Sequence, residues 1–234
     1  LGRLDGQLAL ITGASRGLGA ALAERFAGEG ARLILMARTA GGLEEVDDRI
    51  RALGGEATLV PQDLTQEGAI DELGGILAKR FGRLDILIGN AAEQNTLSPL
   101  AHSDPKTFEQ TLALNTITNF RLIRSLDPLL RASPSGSATF VTADVGIAPR
   151  AYFGIYAASK AALESLVMTY AAEMAKTNVR VNLVDPGPMR TRLRAKAFPG
   201  EDKETLTSPK DRTDIFVDLA EADCRHHGQR FQAY

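Results

Sequence analysis

The sequence predicts an α/β fold built on a parallel sheet, and three observations carry that prediction. Short apolar runs rich in Leu, Ile and Val recur at residues 7–12, 32–37, 57–61, 84–88, 137–142 and 179–184. Most are nearly continuous in hydrophobicity, as strands buried on both faces of a sheet are. Longer stretches with helical spacing lie between them: Leu18, Leu22, Arg25 and Phe26 share one helix side, and so do Ile70, Leu73, Leu77 and Phe81. Strand and helix alternating at these lengths make βαβ units.

Local signals place the remaining elements. Ser103 or Asp104 ahead of Pro105 opens a long helix through Phe108, Leu112 and Ile117 toward Leu126, with a cap and a proline in the first turn. Pro128 and the Ser133-Pro134-Ser135-Gly136 cluster close that helix before the next strand. Ser208-Pro209-Lys210-Asp211 repeats the cap-and-proline device for a late helix. No internal repeat and no long linker divides the chain, so residues 1–234 read as one domain. The segment from about 190 to 208 is charged and poor in periodicity. It reads either as a solvated surface loop or as a mobile flap over a site at the carboxyl ends of the strands, where open α/β sheets bind ligands.

Composition narrows the function. The 234 residues are 44% hydrophobic and 24% charged, with a formal net charge of −2. That balance excludes a disordered chain and gives no electrostatic reason to bind nucleic acid or an anionic membrane. The single cysteine, Cys224, rules out an intramolecular disulfide, and with three histidines it makes no zinc spacing. No apolar run approaches the roughly 18 residues of a membrane span and no signal-peptide pattern is visible, so a cytoplasmic protein is expected.

The first strand runs into Thr12-Gly13-Ala14-Ser15-Arg16-Gly17-Leu18-Gly19 and then a helix. Gly13 permits a tight turn, Gly17 lets backbone approach a ligand, and Gly19 lets the helix pack closely. The helix N-terminus offers free N–H groups and a positive dipole end to a pyrophosphate. An NAD site ends its second strand with a carboxylate for the ribose 2′-hydroxyl; here Ala37 holds that place and Arg38 follows. Arg38, with Arg16 from the glycine loop, suits a 2′-phosphate bidentately, so NADP(H) is preferred and NAD(H) is the alternative. The competing reading is two solvated surface arginines.

Tyr156 and Lys160 stand four residues apart in a helical stretch, which puts them on one face. A cation beside the phenol favours phenolate, so the tyrosine pKa is expected to fall from about 10 into a range useful for proton transfer.

With these pieces in place, the chain resembles the short-chain dehydrogenase/reductase family over almost its whole length. The resemblance rests on the 12–19 loop, Asp63-Leu64, Asn90-Ala91-Ala92, Asn115, Tyr156 with Lys160, and Pro186-Gly187 with Thr191, in family order. It implies a single-domain Rossmann-type doubly wound sheet of about seven parallel strands flanked by helices, a nicotinamide cofactor, and carbonyl/alcohol redox chemistry on a small molecule. It implies Tyr156, Lys160 and Asn115 as the catalytic set, with Asn115 positioning a water that relays protons through Lys160. The implied cofactor contacts are Gly13, Ser15, Arg16, Gly17, Leu18, Gly19 and Arg38 at the first turn, then Asp63 and Leu64 at the adenine. Asn90 and Ala91 lie near the ribose, Lys160 on the nicotinamide ribose beside Tyr156, Pro186 and Gly187 near the nicotinamide, and Thr191 on the carboxamide or pyrophosphate. A homodimer or homotetramer is expected through the helices holding Asn115 and Tyr156. The segment from Leu193 onward, including Gly228-Gln229-Arg230-Phe231, resembles a bacterial subgroup of uncharacterised oxidoreductases.

The pattern breaks at one place. The family serine stands 13 residues before the tyrosine, and residue 143 is alanine. Thr142 supplies a hydroxyl only if a bulge turns it inward. Asp144 reaches the site as an acceptor unless its pKa is raised, and the third reading leaves Tyr156 to act alone or with water. An oxidoreductase with a weakened oxygen site and a non-enzymatic NADP(H)-binding sensor therefore both stand. Cys224, His226 and His227 read as peripheral, with the histidines on the surface; His102 borders the substrate pocket or is incidental. Arg150 and Arg190 leave an anionic substrate open.

Overall fold

A computed structural model describes residues 2–234. Its strands are β1 (Leu8–Thr12), β2 (Arg32–Ala37), β3 (Ala57–Pro61), β4 (Ile86–Gly89), β5 (Ser137–Val141), β6 (Arg180–Asp185) and β7 (Gln229–Gln232). They form one sheet in the order β3-β2-β1-β4-β5-β6-β7, with every pairing parallel. The helices are α1 (Gly17–Gly28), α2 (Ala40–Ala52), α3 (Ala69–Phe81), α4 (Pro105–Leu112), α5 (Thr118–Ala132), α6 (Gly154–Met174), α7 (Arg192–Ala197) and α8 (Asp214–Ala220). The strand order reverses between β1 and β4, which opens a crevice at the carboxyl ends of those strands.

Alternation along each strand feeds two cores. Ala9 and Ile11 of β1, with Leu33 and Leu35 of β2, pack under Leu22 and Phe26 of α1, Val46 of α2 and Phe216 of α8. Leu8, Leu10, Ile34 and Met36 face the other way, against Leu73 and Leu77 of α3, Leu122 and Leu126 of α5, and Leu163 and Val167 of α6. Both faces are covered, which is why the strands read as continuous apolar runs. Among the described residues no helix is long and apolar enough to cross a membrane.

The predicted strand ends hold to within two residues. β4 begins late because Asp85 turns inward: its carboxylate accepts from Leu8 N at 2.9 Å and Ser133 Oγ at 2.6 Å, tying the starts of β1 and β4 to the end of α5. β7 has the sequence QRFQ and lies at the sheet edge, so it carries no apolar run to reveal it. Asp104 caps α4 as expected, accepting from Thr107 N at 2.8 Å.

Three expectations need correction. Pro128 does not close a helix: α5 runs through it to Ala132 and stops at Ser133-Pro134. The Ser208-Pro209 device opens only a 3-10 turn, Pro209–Arg212, before α8 begins at Asp214. His227 is a structural tie and not a surface group: Nδ1 accepts from Val181 N at 3.2 Å and Nε2 meets Ala171 O at 2.9 Å, pinning the approach to β7 against β6 and α6.

Asp85 lies at the amino end of the sheet, opposite the crevice. Asp85→Ala leaves a buried N–H and a hydroxyl without their acceptor, and is expected to lower stability by about 2–3 kcal/mol in urea unfolding while leaving nucleotide affinity unchanged.

Candidate active site

The glycine loop is held shut from below. Gly13 adopts φ +66°, and a Cβ there would lie 2.9 Å from Ala91 Cα. A Cβ on Gly19 would lie 2.2 Å from Gly13 O, so this glycine lets α1 close on the loop itself. Gly17, at φ +57°, has only the Thr191 methyl within reach, 3.5 Å from a built Cβ. Asn90 donates to Thr12 O at 2.8 Å, and Thr12 Oγ1 accepts from Asn90 N at 3.0 Å and Ala91 N at 3.1 Å. Arg16, extended at φ −167°, precedes α1 and provides no side-chain cap, so the first N–H groups of the helix face the crevice uncapped. Ser15 and Leu18 complete the turn, Leu18 with its side chain in the core.

Arg38 is exposed just past β2. Asp63 bonds Thr65 N at 2.9 Å and Thr65 Oγ1 at 2.7 Å. Burial raises the Asp63 carboxyl, but those bonds and the nearby Arg38 charge hold it below the usual range. Leu64 commits its side chain to the core.

On α6, Lys160 is 2% exposed; its Nζ donates to Val141 O at 2.8 Å and lies 5.7 Å from the centre of the Tyr156 ring. Asn115 lies in a π-turn, Ala113–Ile117, between α4 and α5. Its side chain accepts from Glu93 N and donates to Glu93 O, both at 2.9 Å, and donates to Ser159 Oγ at 3.0 Å. Asn115 thus fastens the loop after β4 to α6, one residue before Lys160. Its own carbonyl accepts from the Asn119 amide at 2.8 Å.

Thr191 caps α7, accepting from Arg194 N at 3.2 Å, and Arg194 forks onto Glu201 with two bonds of 2.6 Å. The 190–208 segment therefore carries a short helix where the sequence pattern showed only charge. Gly187, φ +69°, donates its N–H to Asp185 Oδ1 at 3.0 Å, and the Tyr234 ring covers its Cα side.

Beneath the Tyr-Lys pair lies a charge cluster that pattern reading missed. Arg230 of β7 donates to Glu164 Oε1 and to Asp185 Oδ2, each at 3.1 Å. Thr142 Oγ1 donates to the same Glu164 oxygen at 2.6 Å. Two signals pointed there: Glu164 is one turn beyond Lys160, and Asp185 immediately precedes Pro186-Gly187. The cluster also decides the orientation of Thr142. Its hydroxyl faces Glu164, Ala143 is extended at φ −152° without a bulge, and the half-exposed Asp144 pairs with Arg150 at 3.0 Å.

The whole-chain comparisons agree with this geometry. A family profile described as short chain dehydrogenase matches residues 7–202. The oxidoreductase YciK of Escherichia coli K12 is 34% identical over 238 residues, covering 98% of this chain and 92% of its own. A short chain dehydrogenase from Pseudomonas syringae has a TM-score of 0.96 at 36% identity, covering 99% of this chain and 96% of that one. Another, from Shigella flexneri 2a and complexed with NADP, has a TM-score of 0.93 at 33% identity, covering 98% of each chain. The chain belongs to the short-chain dehydrogenase family.

Within this short-chain dehydrogenase, the electrostatics of the pair depart from the expectation of a depressed tyrosine pKa. Burial, then the charges of Asp185 and Asp144, push the Tyr156 phenol above its ordinary value. Burial lowers Lys160 to about 8 against the opposing pull of Asp185 and Glu164. The cation that was to ease the phenol is itself short of solvent, and two carboxylates lie nearer the phenol than the sequence suggested.

The Lys160 shift has a stability consequence. Its pKa is lowered on folding from 10.5 to about 8, so the unfolded chain binds the extra proton between those values, and stability climbs with pH across that window. Below it both states are charged and the burial cost is fully present. Lys160→Met is expected to stabilise the protein by roughly 2 kcal/mol at pH 7, net of the lost bond to the Val141 carbonyl. Urea midpoints should show that gain shrinking toward about pH 10.

Proposed function

We propose that this oxidoreductase interconverts a carbonyl and an alcohol with NADP(H), using Tyr156 as general acid and base. The observation that carries the reading is the buried Lys160 beside Tyr156, on the helix that Asn115 fastens to the loop after β4. NADP(H) when bound supplies or accepts the hydride. Gly13, Gly17 and Gly19 with the uncapped start of α1 fit a pyrophosphate, while Asp63, Leu64, Asn90, Ala91, Pro186, Gly187 and Thr191 line the path beyond it. Ala37 leaves no carboxylate at the end of β2, so Arg38 and Arg16 suit a 2′-phosphate; the Shigella flexneri relative complexed with NADP supports this choice.

In the reducing direction the Tyr156 phenol gives its proton to the carbonyl oxygen as the carbon receives hydride, and the C=O π pair becomes the new O–H bond. Lys160 keeps a positive charge beside the phenolate that results, and the proton returns from solvent past Lys160 with Asn115 as the positioning residue. The 190–208 segment, with α7 on the crevice, acts as the flap. Exposed Phe108, Ile117, Phe120 and Met168 on α4, the π-turn, α5 and α6 support self-association through those helices.

A second reading, an NADP(H) sensor without turnover, is favoured by one observation: no hydroxyl stands at residue 143, and Thr142 faces Glu164. NADPH oxidation against a panel of ketones and diketones separates the two. Turnover by the wild type, lost in Tyr156→Phe with NADPH binding kept, is the expected result; a fully active Tyr156→Phe would end the mechanism. Ala143→Ser restores an oxygen-facing donor and is expected to raise kcat by up to about 10²-fold. A silent wild type made active by Ala143→Ser would establish the sensor.

A further inference from the structure

We propose that the substrate is a compact oxo acid and that Lys196 of α7 receives its carboxylate. The inference rests on the oxidoreductase reading and adds a substrate class to it. A cleft of about 290 Å³ opens directly beside Tyr156, with Asn95, His102, Asp104, Thr107 and Thr111 on its wall. That volume is at the small end for ligand sites. Lys196 Nζ donates to Asn95 Oδ1 at 2.7 Å, which sets an ammonium at the edge of the same cleft.

What holds that ammonium carries no charge. Asn95 donates to Thr111 Oγ1 at 3.0 Å, and Thr111 donates to Thr107 O at 2.8 Å, so a chain of neutral groups anchored on α4 fixes the Asn95 oxygen. An exposed lysine is ordinarily a hydrated charge on a flexible stem. This one is laid from α7 across to the loop after β4. An ammonium has three N–H donors, and the neutral bond to Asn95 uses one of them while leaving the charge in place.

The neighbouring charges are spent elsewhere. Arg190 pairs with Glu204 at 3.1 Å, Arg194 with Glu201 at 2.6 Å and Arg150 with Asp144 at 3.0 Å. Asp202 caps a 3-10 turn, accepting from Glu204 N at 3.0 Å. Asp104, the one carboxylate on the cleft wall, accepts from Thr107 N at 2.8 Å and Thr107 Oγ1 at 2.9 Å. It sits at the positive end of α4, which offsets its charge. Arg192 and Lys196 stand four apart on α7, hence on one face, and neither has a carboxylate partner among the described residues. Arg150 and Arg190, which left an anionic substrate open in the sequence, are thus neutralised, and the available cations are Arg192 and Lys196. A molecule with its carbonyl oxygen at Tyr156 and its carboxylate at Lys196 spans a single cleft and supplies the anion that the fold withholds.

Binding to the NADP+-loaded protein tests this without turnover, because NADP+ has no hydride to give a ketone. The probes are 2-oxobutanoate, acetoacetate and levulinate, which move the ketone stepwise away from the carboxylate, each titrated calorimetrically beside its methyl ester. In the wild type the best-bound acid should bind about 10-fold tighter than its ester. Lys196→Met keeps the stem without the charge, and Asn95→Asp sets a carboxylate under the same ammonium. Each should bring that acid and ester to within about twofold. The extra bulk of the ester is the same in all three proteins, so the charge alone separates them. NADP+ binding and melting temperature report whether each variant is folded. Equal or tighter binding of the esters, no binding of any acid, or a preference that survives in either variant would overturn the proposal. A parallel NADPH-oxidation assay keeps the two readings apart. Lys196-dependent binding of the acid without turnover leaves this inference and removes the oxidoreductase; turnover indifferent to Lys196 does the reverse.

Discussion

Everything at the site depends on one joint, where the carboxyl ends of β1 and β4 are tied across the switch in strand order. Thr12 donates from Oγ1 to Ile88 O at 3.2 Å and accepts from two successive N–H groups, Asn90 and Ala91, while the Asn90 amide returns a bond to Thr12 O. A parallel sheet leaves a gap at its reversal point, and the backbone groups there must find partners or water. These two side chains satisfy them. They also place Ala91 against Gly13, which is why a Cβ on that glycine has nowhere to go. The glycine loop is open toward the crevice because it is closed from beneath.

A second joint, under Tyr156 and Lys160, is made of charge. Glu164, Arg230 and Asp185 come from three elements, α6, β7 and β6, and their mutual contacts of 3.1 Å bind the sheet edge to the helix carrying the pair. Burial lifts the Asp185 carboxyl above the usual range against the Gly187 N–H and Arg230. Asp185 acts in opposite senses on its neighbours: it supports the Lys160 cation and opposes ionisation of Tyr156. Arg230 limits both effects, so the proton affinities of the pair are set partly by a strand at the far edge of the sheet. A buried ion pair contributes little net stability by itself, but removing one partner leaves a charge stranded.

How much of this was legible follows from how each feature is encoded. The strands β1, β2 and β4 to β6 are buried on both faces, so burial writes itself as a run of apolar residues that needs no partner to be recognised, and the half-buried edge strand β3 still keeps Leu59 and Val60 at its centre. β7 pairs only with β6 and is half solvated, and its register is held by Asn182 bonding Gln229 N and His226 O and by the His227 tie; none of that has a local period. Among the candidate site residues, glycines and the Tyr-Lys spacing are readable because backbone geometry and helix pitch act over a few residues. The proton affinity of Tyr156 was misread for the opposite reason. Spacing along one helix shows the cation at Lys160, but not the carboxylates that β6 and the 143–146 turn bring to the same place.

The alanine at 143 takes its meaning from these two joints together. With Thr142 turned to Glu164 and Asp144 held by Arg150, no hydroxyl of the 142–144 segment faces the position where an alkoxide-like oxygen would develop. On the proposed reading, stabilisation of that oxygen falls to Tyr156, whose proton is held firmly by burial and by two nearby carboxylates. A phenol in that condition is a ready hydrogen-bond donor at neutral pH and a reluctant phenolate. Carbonyl reduction begins from the protonated form and uses it as it stands, whereas alcohol oxidation must first remove the proton that the site retains. On the proposed reading, the same charges keep the proton in place for the step in which Tyr156 gives it to a carbonyl oxygen and burden the reverse step, in which a phenolate must form first.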